Sequence, residues 1–244
     1  MTLKIVVCNQ KGGVGKTTTA VNIAAALALK GRTILADLDL QANAGSSLGV
    51  DPQEPEKSVF NPDFSLNDIK ATSITDLYLL PSTFEKAYQG STAVELQRTL
   101  ERASEDFEYL VMDCPPSLEK TTLTGVSIAD LAIVPVQCQY MSLEGVTQII
   151  TLIKSRTEKK LDIKVLPTML DIENQLEVEV YDEVNEYFRE DVIQPGIPFD
   201  PELAEAPSHG KTVIEYNISS MGCVAYLAVA QEVIAHGKKV GSWS

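Results

Sequence analysis

The sequence has no apolar run approaching the roughly 20 residues of a membrane-spanning helix, so no membrane span is expected. Its opening, MTLKIVVCNQ, lacks the order of charged, apolar and small residues that marks a signal peptide. The four cysteines, Cys8, Cys114, Cys138 and Cys223, are scattered without a C-x-x-C pair. Reduced thiols in a cytoplasmic protein are therefore expected, and neither a disulfide framework nor a zinc site. No internal repeat and no long linker interrupts the 244 residues, which predicts one domain over 1–244. Basic residues are also scarce: 20 Lys and Arg face 34 Asp and Glu, a net charge of −14 that speaks against a broadly basic nucleic-acid surface. The scarcity is uneven. From 171 to 244 only Arg189, Lys211, Lys238 and Lys239 are basic, against fourteen acids.

With 44% hydrophobic residues, the chain can bury a sizeable core. Apolar, β-rich runs alternate with helical periodicity, which predicts an α/β fold with a mostly parallel twisted sheet and helices on both faces. Strands are expected at 3–9, 32–39, 76–82, 109–116, 131–137 and 163–170, with a short extended piece at 192–198. Helices are expected at 17–31, where Gly31 stops the run, and at roughly 91–104, 142–154, 176–189 and 219–235. Pro52, Pro55 and Pro62 predict an irregular excursion from 50 to 67.

The first strand runs into NQKGGVGKTTT (9–19), and a helix follows. Strand, glycine loop and helix in that order give a phosphate-binding P-loop its physical context. Gly12, Gly13 and Gly15 let backbone N–H groups curl around phosphate oxygens, and the helix adds its positive end. Lys16 would hold the β- and γ-phosphates, Thr17 would place its hydroxyl on Mg²⁺, and Thr18 is a candidate for the α-phosphate. The usual pattern needs glycine at position 10. Gln10 stands there instead, and a second lysine, Lys11, precedes the glycines.

Hydrolysis of the bound nucleotide also needs carboxylates near the metal and a way of placing water. Asp37 and Asp39 close the second strand, and alternation points both to one side. Asp113 closes the apolar strand YLVMD as a Walker B acid does. The C-terminal ends of parallel strands share one edge with the P-loop, so three acids and two lysines are expected to converge there.

KGGVGKTT (11–18), DLDLQANAGSSLG (37–49), DCPPSL (113–118), IVPVQCQYMSLEGV (133–146) and LAEAPSHGKTVIEY (203–216) together resemble the ParA/Soj partition ATPases, in order and over nearly the whole chain. These belong to the deviant Walker A group, which also contains MinD. The resemblance implies an ATP- and Mg²⁺-dependent ATPase that forms a homodimer with the nucleotides between its subunits. It implies that Lys11 reaches the partner's phosphates, Asp39 positions the attacking water, Asp37 lies at the metal and switch region, and Asp113 contacts Mg²⁺ through water. It places the base near Thr168 and Met169 and near Pro198, Phe199 and Asp200. His209 then belongs to a loop rather than to catalysis. Glu144 and Glu119 are helix-surface or capping residues, with Glu119 near enough to Asp113 to face a partner subunit.

Two departures stand out. The usual DPQGN of this family reads Asp39-Leu40-Gln41-Ala42-Asn43, without the proline and the glycine. Arginines that relatives carry before the EAPS block and after the TMLD stretch are missing; the one basic cluster is Lys154, Arg156, Lys159, Lys160 and Lys164. Three readings follow from the resemblance. A partition ATPase would act with a ParB-like partner on nucleoid DNA, a ParA-like ATPase could instead position a protein cargo with little DNA contact, and a MinD-like enzyme would bind membrane. The last needs a basic amphipathic helix at the end of the chain, which AHGKKVGSWS does not supply.

Overall fold

The computed structural model describes residues 2–84, 92–117, 119–138, 143–157 and 161–239. Seven strands form one sheet: β1 (Leu3–Val7), β2 (Thr33–Asp37), β3 (Lys70–Ala71), β4 (Leu77–Leu80), β5 (Tyr109–Asp113), β6 (Leu131–Gln137) and β7 (Asp162–Thr168). Their order is β3-β4-β2-β5-β1-β6-β7, and every pair is parallel except β3 with β4. The mostly parallel α/β architecture expected from the sequence is therefore present.

Alternation along the strands builds two cores. On one face Ile5, Val7, Leu35, Val111 and Ile133 pack with Ala20, Ile23 and Leu27 of α1 (Lys16–Ala28) and with Tyr226, Val229 and Val233 of α9 (Met221–Lys239). On the other, Val6, Ile34, Met112, Val134 and Val165 pack under four helices. These are α3 (Ala93–Ser104), α4 (Lys120–Ile128), α5 (Leu143–Lys154) and α6 (Gln175–Phe188). The helix α3 starts on a capping box in which Thr92 and Glu95 satisfy each other's backbone N–H groups.

Strands β1, β2, β4, β5 and β7 end two or three residues earlier than expected, and β6 matches. β2 stops at Asp37 because Asp39 N–H turns back onto Asp37 Oδ1, at 3.2 Å, instead of joining the ladder. β5 stops at Asp113, before the two prolines, which have no N–H to give a ladder. The excursion over 50–67 is irregular as expected, with short 3-10 turns at Pro55–Lys57 and Leu66–Asp68; Phe60 and Phe64 anchor it in the core.

A short helix α2 (Asn43–Ser47) follows β2, and its end abuts the block around α7 (Glu202–Glu205) and α8 (Val213–Tyr216). The contact is backbone on backbone: a Cβ on Gly210 would lie 2.8 Å from Gly49 Cα, and Gly210 has φ +62°. Two stretches distant in sequence, DLQANAGSSLG and EAPSHGK, are thus mated through paired glycines. Gly210→Ala meets left-handed strain of about 1–2 kcal/mol plus a clash that no side-chain rotation relieves. A melting temperature lowered by at least about 4 °C is expected in thermal denaturation; an unchanged melt would show that this contact does not matter.

Candidate functional site

The register sets the site. Val7 and Asp37 both pair with Asp113, so the ends of β1, β5 and β2 lie side by side and the glycine loop leaves from the centre. The loop is pinned at its start by Asn9, whose Nδ2 donates to the Pro135 carbonyl at 2.7 Å while its Oδ1 accepts the Lys11 N–H at 3.0 Å. It is pinned at its middle by Thr168, whose hydroxyl donates to the Val14 carbonyl at 3.0 Å. Nothing in the sequence pattern marked Asn9 for this; its role depends on where β6 lies.

Gly13 and Gly15 have φ of +74° and +83°, which turns the intervening N–H groups into a concave nest. Gly15 is the N-cap of α1, so the first backbone donors of that helix face the same concavity. Lys16 is buried, and its Nζ donates to the Lys11 carbonyl at 2.9 Å, folding the arm back across the loop. Burial lowers its pKa, opposed by the charges of Asp113 and Asp39. Lys11 is exposed at the rim, as are Gly12 and Gly13, while Thr17 and Thr18 are half-buried behind them.

Asp113 is fully buried, and neither of its carboxylate oxygens has a hydrogen-bond partner. Desolvation pushes its pKa well up, and the neighbouring Asp37 pushes it further. The Thr17 hydroxyl beside it opposes the rise without reaching hydrogen-bond geometry. An orphaned carboxylate next to a threonine hydroxyl is a hard oxygen donor set, and it fits Mg²⁺. Asp37 is equally buried but occupied: its oxygens accept the N–H groups of Gly45 at 3.0 Å and Asp39 at 3.2 Å, which ties down the start of α2. Burial raises its pKa from 3.8 to about 7 despite those bonds.

These two acids have a consequence for stability. Asp37 keeps its proton to a higher pH in the folded state than in the unfolded chain, so its contribution is complete below about pH 4 and is lost as pH rises to about 7. Asp113, raised in the same direction by burial, acts with the same sign. The nucleotide-free protein is expected to melt higher at pH 6 than at pH 8, with the difference reduced in Asp113→Asn. A melting temperature that rises from pH 6 to pH 8 would contradict the assignment.

Asp39 lies just outside β2, half-buried, with its Oδ1 accepting the Gln41 N–H at 3.0 Å. It borders a pocket of about 300 Å³ shared with Leu38, Leu40, Phe60, Pro115 and Glu119. Ala42, where the resembling motif has glycine, adopts the left-handed conformation a glycine would, with φ +51°. In that conformation an alanine carries a strain of about 1–2 kcal/mol that a glycine would not.

The residues expected around the base also come together. Met169 Cε lies 3.7 Å from the position of a Cβ on Gly15, and Met169 itself has φ +55°. Leu170 N–H donates to Ile197 and Phe199 N–H to Leu170, which brings Pro198 beside the end of β7. Asp200 is engaged elsewhere: its oxygens accept the N–H groups of Glu202 at 3.0 Å and Gly222 at 2.8 Å, holding α7 and the start of α9. His209 stacks on Tyr216 at 5.3 Å, in keeping with a loop role. In the basic cluster, Lys154 and Arg156 are exposed at the end of α5, whereas Lys164 pairs with Asp191 at 3.2 Å. Lys159 and Lys160 lie outside the described residues, as do Leu118 and positions 139–142 of the matched blocks.

Glycine nest, buried lysine and orphaned acid, at the central edge of a parallel sheet, define a P-loop ATPase of the deviant Walker A type. A family model described as an AAA domain matches residues 2–165. The chain is 41% identical to the sporulation initiation inhibitor protein Soj of Bacillus subtilis, over 96% of this chain and 98% of that protein. It is 37% identical to the chromosome partitioning protein ParA of Myxococcus xanthus, over 94% and 87%. Among solved structures, cobyrinic acid a,c-diamide synthase from Mycobacterium smegmatis with bound ADP and magnesium superposes with a TM-score of 0.80 at 30% identity, over 98% and 96% of the chains. MinD from Pyrococcus horikoshii, complexed with Mg-ADP, shares the fold at a TM-score of 0.78, over 96% of each chain, and 23% identity. The chain belongs to the ParA/Soj family of partition ATPases.

Proposed function

We infer that the protein is an ATP-dependent dimer that hydrolyses ATP slowly in the cytoplasm and drives partition of a plasmid or chromosome with a ParB-like partner. The observation that carries this reading is the loop with two lysines, one folded inward and buried, the other at the exposed rim. Lys16 holds the phosphates of its own nucleotide, and the nest of Gly12, Gly13 and Gly15 holds them from the backbone side. Thr17 and Asp113 hold Mg²⁺, with Asp37 behind them fixing α2. When bound, the ion neutralises charge on the phosphate oxygens and draws the leaving group. Asp39 orients the attacking water, and Lys11 of one protomer reaches the partner's nucleotide, where a second cation stabilises the charge of transfer. Met169 and Pro198 flank the base.

Lys164 favours a second reading, a ParA-like ATPase that positions a protein cargo. It is committed to Asp191 and to the Glu190 carbonyl, so one member of the 154–164 basic cluster already has a partner. Phosphate contacts from Lys and Arg dominate non-specific DNA affinity. A mobility-shift assay with Mg-ATP at low salt separates the two. Retarded DNA that is released by Lys154→Glu/Arg156→Glu supports the partition reading, and no retardation at low salt favours the protein cargo.

A further inference from the structure

Asp39 sits past the end of its strand, yet its carbonyl oxygen is gripped from two sides. It accepts the Ala42 N–H at 2.9 Å and the Ser82 hydroxyl at 2.7 Å. Ser82 is 2% exposed and lies two residues beyond β4, the strand hydrogen-bonded to β2. It is itself held from behind. The Ser82 carbonyl accepts Gln53 N–H at 3.3 Å, and the Pro81 carbonyl accepts Val59 N–H at 2.8 Å, so the 50–67 excursion backs it up.

Such a grip matters because of residue 40. A proline there would confine Asp39 to extended conformations through its ring. Leu40 imposes no such limit, and its N–H makes no hydrogen bond among the described residues. Backbone freedom at Asp39 would move a carboxylate whose one hydrogen bond among the described residues is local, from the Gln41 N–H.

We propose that Ser82 is a positioning residue for Asp39, its buried hydroxyl supplying across the sheet the restraint that Leu40 does not supply along the chain. The proposal rests on Asp39 being the residue that orients the attacking water. It assigns Ser82 no contact with nucleotide, so its effect falls on turnover rather than on binding.

The test is steady-state ATP hydrolysis by Ser82→Ala, Ser82→Ala/Leu40→Pro and Asp39→Ala, each checked for folding by circular dichroism. A loss of about tenfold in kcat is expected for Ser82→Ala, because small misplacements of a positioned group are costly, with KM for ATP within twofold of the wild type. Adding Leu40→Pro restores most of that loss, which a merely stabilising hydrogen bond would not do. If Ser82→Ala does not fold, Ser82→Cys, which fills the space with a weak donor, takes its place with the same expectation. Full turnover in Ser82→Ala beside an inactive Asp39→Ala would overturn the role of Ser82 alone, as would a double variant no faster than the single one. An active Asp39→Ala would overturn the reading of Asp39 from which it starts.

Discussion

Replacing Asp39 by alanine is expected to cut ATP turnover by at least about a hundredfold while leaving ATP binding intact, and to trap the protein as an ATP-bound dimer. A group that places the attacking water contributes on the order of 10²–10⁴ in rate. Asp39 is suited to that task where Asp37 and Asp113 are not. It is half-buried rather than sealed in the core, it borders an open pocket, and its charge is felt at Lys16. Asp113 is fully buried beside Thr17, where it is assigned to Mg²⁺ rather than to water, and both Asp37 oxygens already accept backbone N–H groups. The measurement is phosphate release alongside nucleotide affinity. Wild-type turnover in Asp39→Ala would remove this residue from the mechanism.

Lys11→Ala is expected to abolish ATP-dependent dimerisation and to lower turnover by about 10³-fold or more, the scale of a cation supplied across an interface to a transferring phosphoryl group. Nucleotide affinity of the monomer should change only a few-fold. The backbone of Lys11 is fixed from both sides, by Asn9 at its N–H and by Lys16 at its carbonyl. Its position at the rim is thus set by the folded loop, while Lys16 covers the phosphate site from inside. Truncating Lys16 would strip the site itself; truncating Lys11 removes what extends beyond it. A Lys11→Ala variant that binds ATP tenfold or more weakly as a monomer would place Lys11 in its own site instead.

Much of this was legible in the sequence because chemistry and periodicity coincide there. Apolar strands ending on Asp37 and Asp113, and a glycine loop between strand and helix, fixed the sheet edge and the phosphate site together. What escaped has two physical causes. The helix α4, KTTLTGVSI, holds three threonines and a central glycine and has little helical propensity of its own. It forms because Gly125 lets it approach the sheet, where a Cβ would stand 3.3 Å from Val6 Cγ2. The two-residue strand β3 pairs antiparallel with β4 and is too short to show a pattern.

The second cause is that side-chain engagement is a tertiary fact. Asp37, Asp113 and Asp200 read alike as acids at strand or loop ends. Only the fold distinguishes the oxygens taken by Gly45, Asp39, Glu202 and Gly222 from the orphaned pair on Asp113. Ala42 makes the complementary point. The sequence shows only an alanine where the motif has glycine, and the fold shows that it adopts a left-handed backbone, φ +51°, in which a glycine would be unstrained.

The most direct test of the central claim, a dimer assembled around ATP, is the molar mass in solution by light scattering. Asp39→Ala removes the complication of turnover, so it is measured with Mg-ATP, with Mg-ADP and without nucleotide, alone and combined with Lys11→Ala. Twice the protomer mass with Mg-ATP only, and the protomer mass in every other condition and in the double variant, is the predicted result. A mass that does not respond to ATP, or a double variant that dimerises as well as the single one, would contradict it.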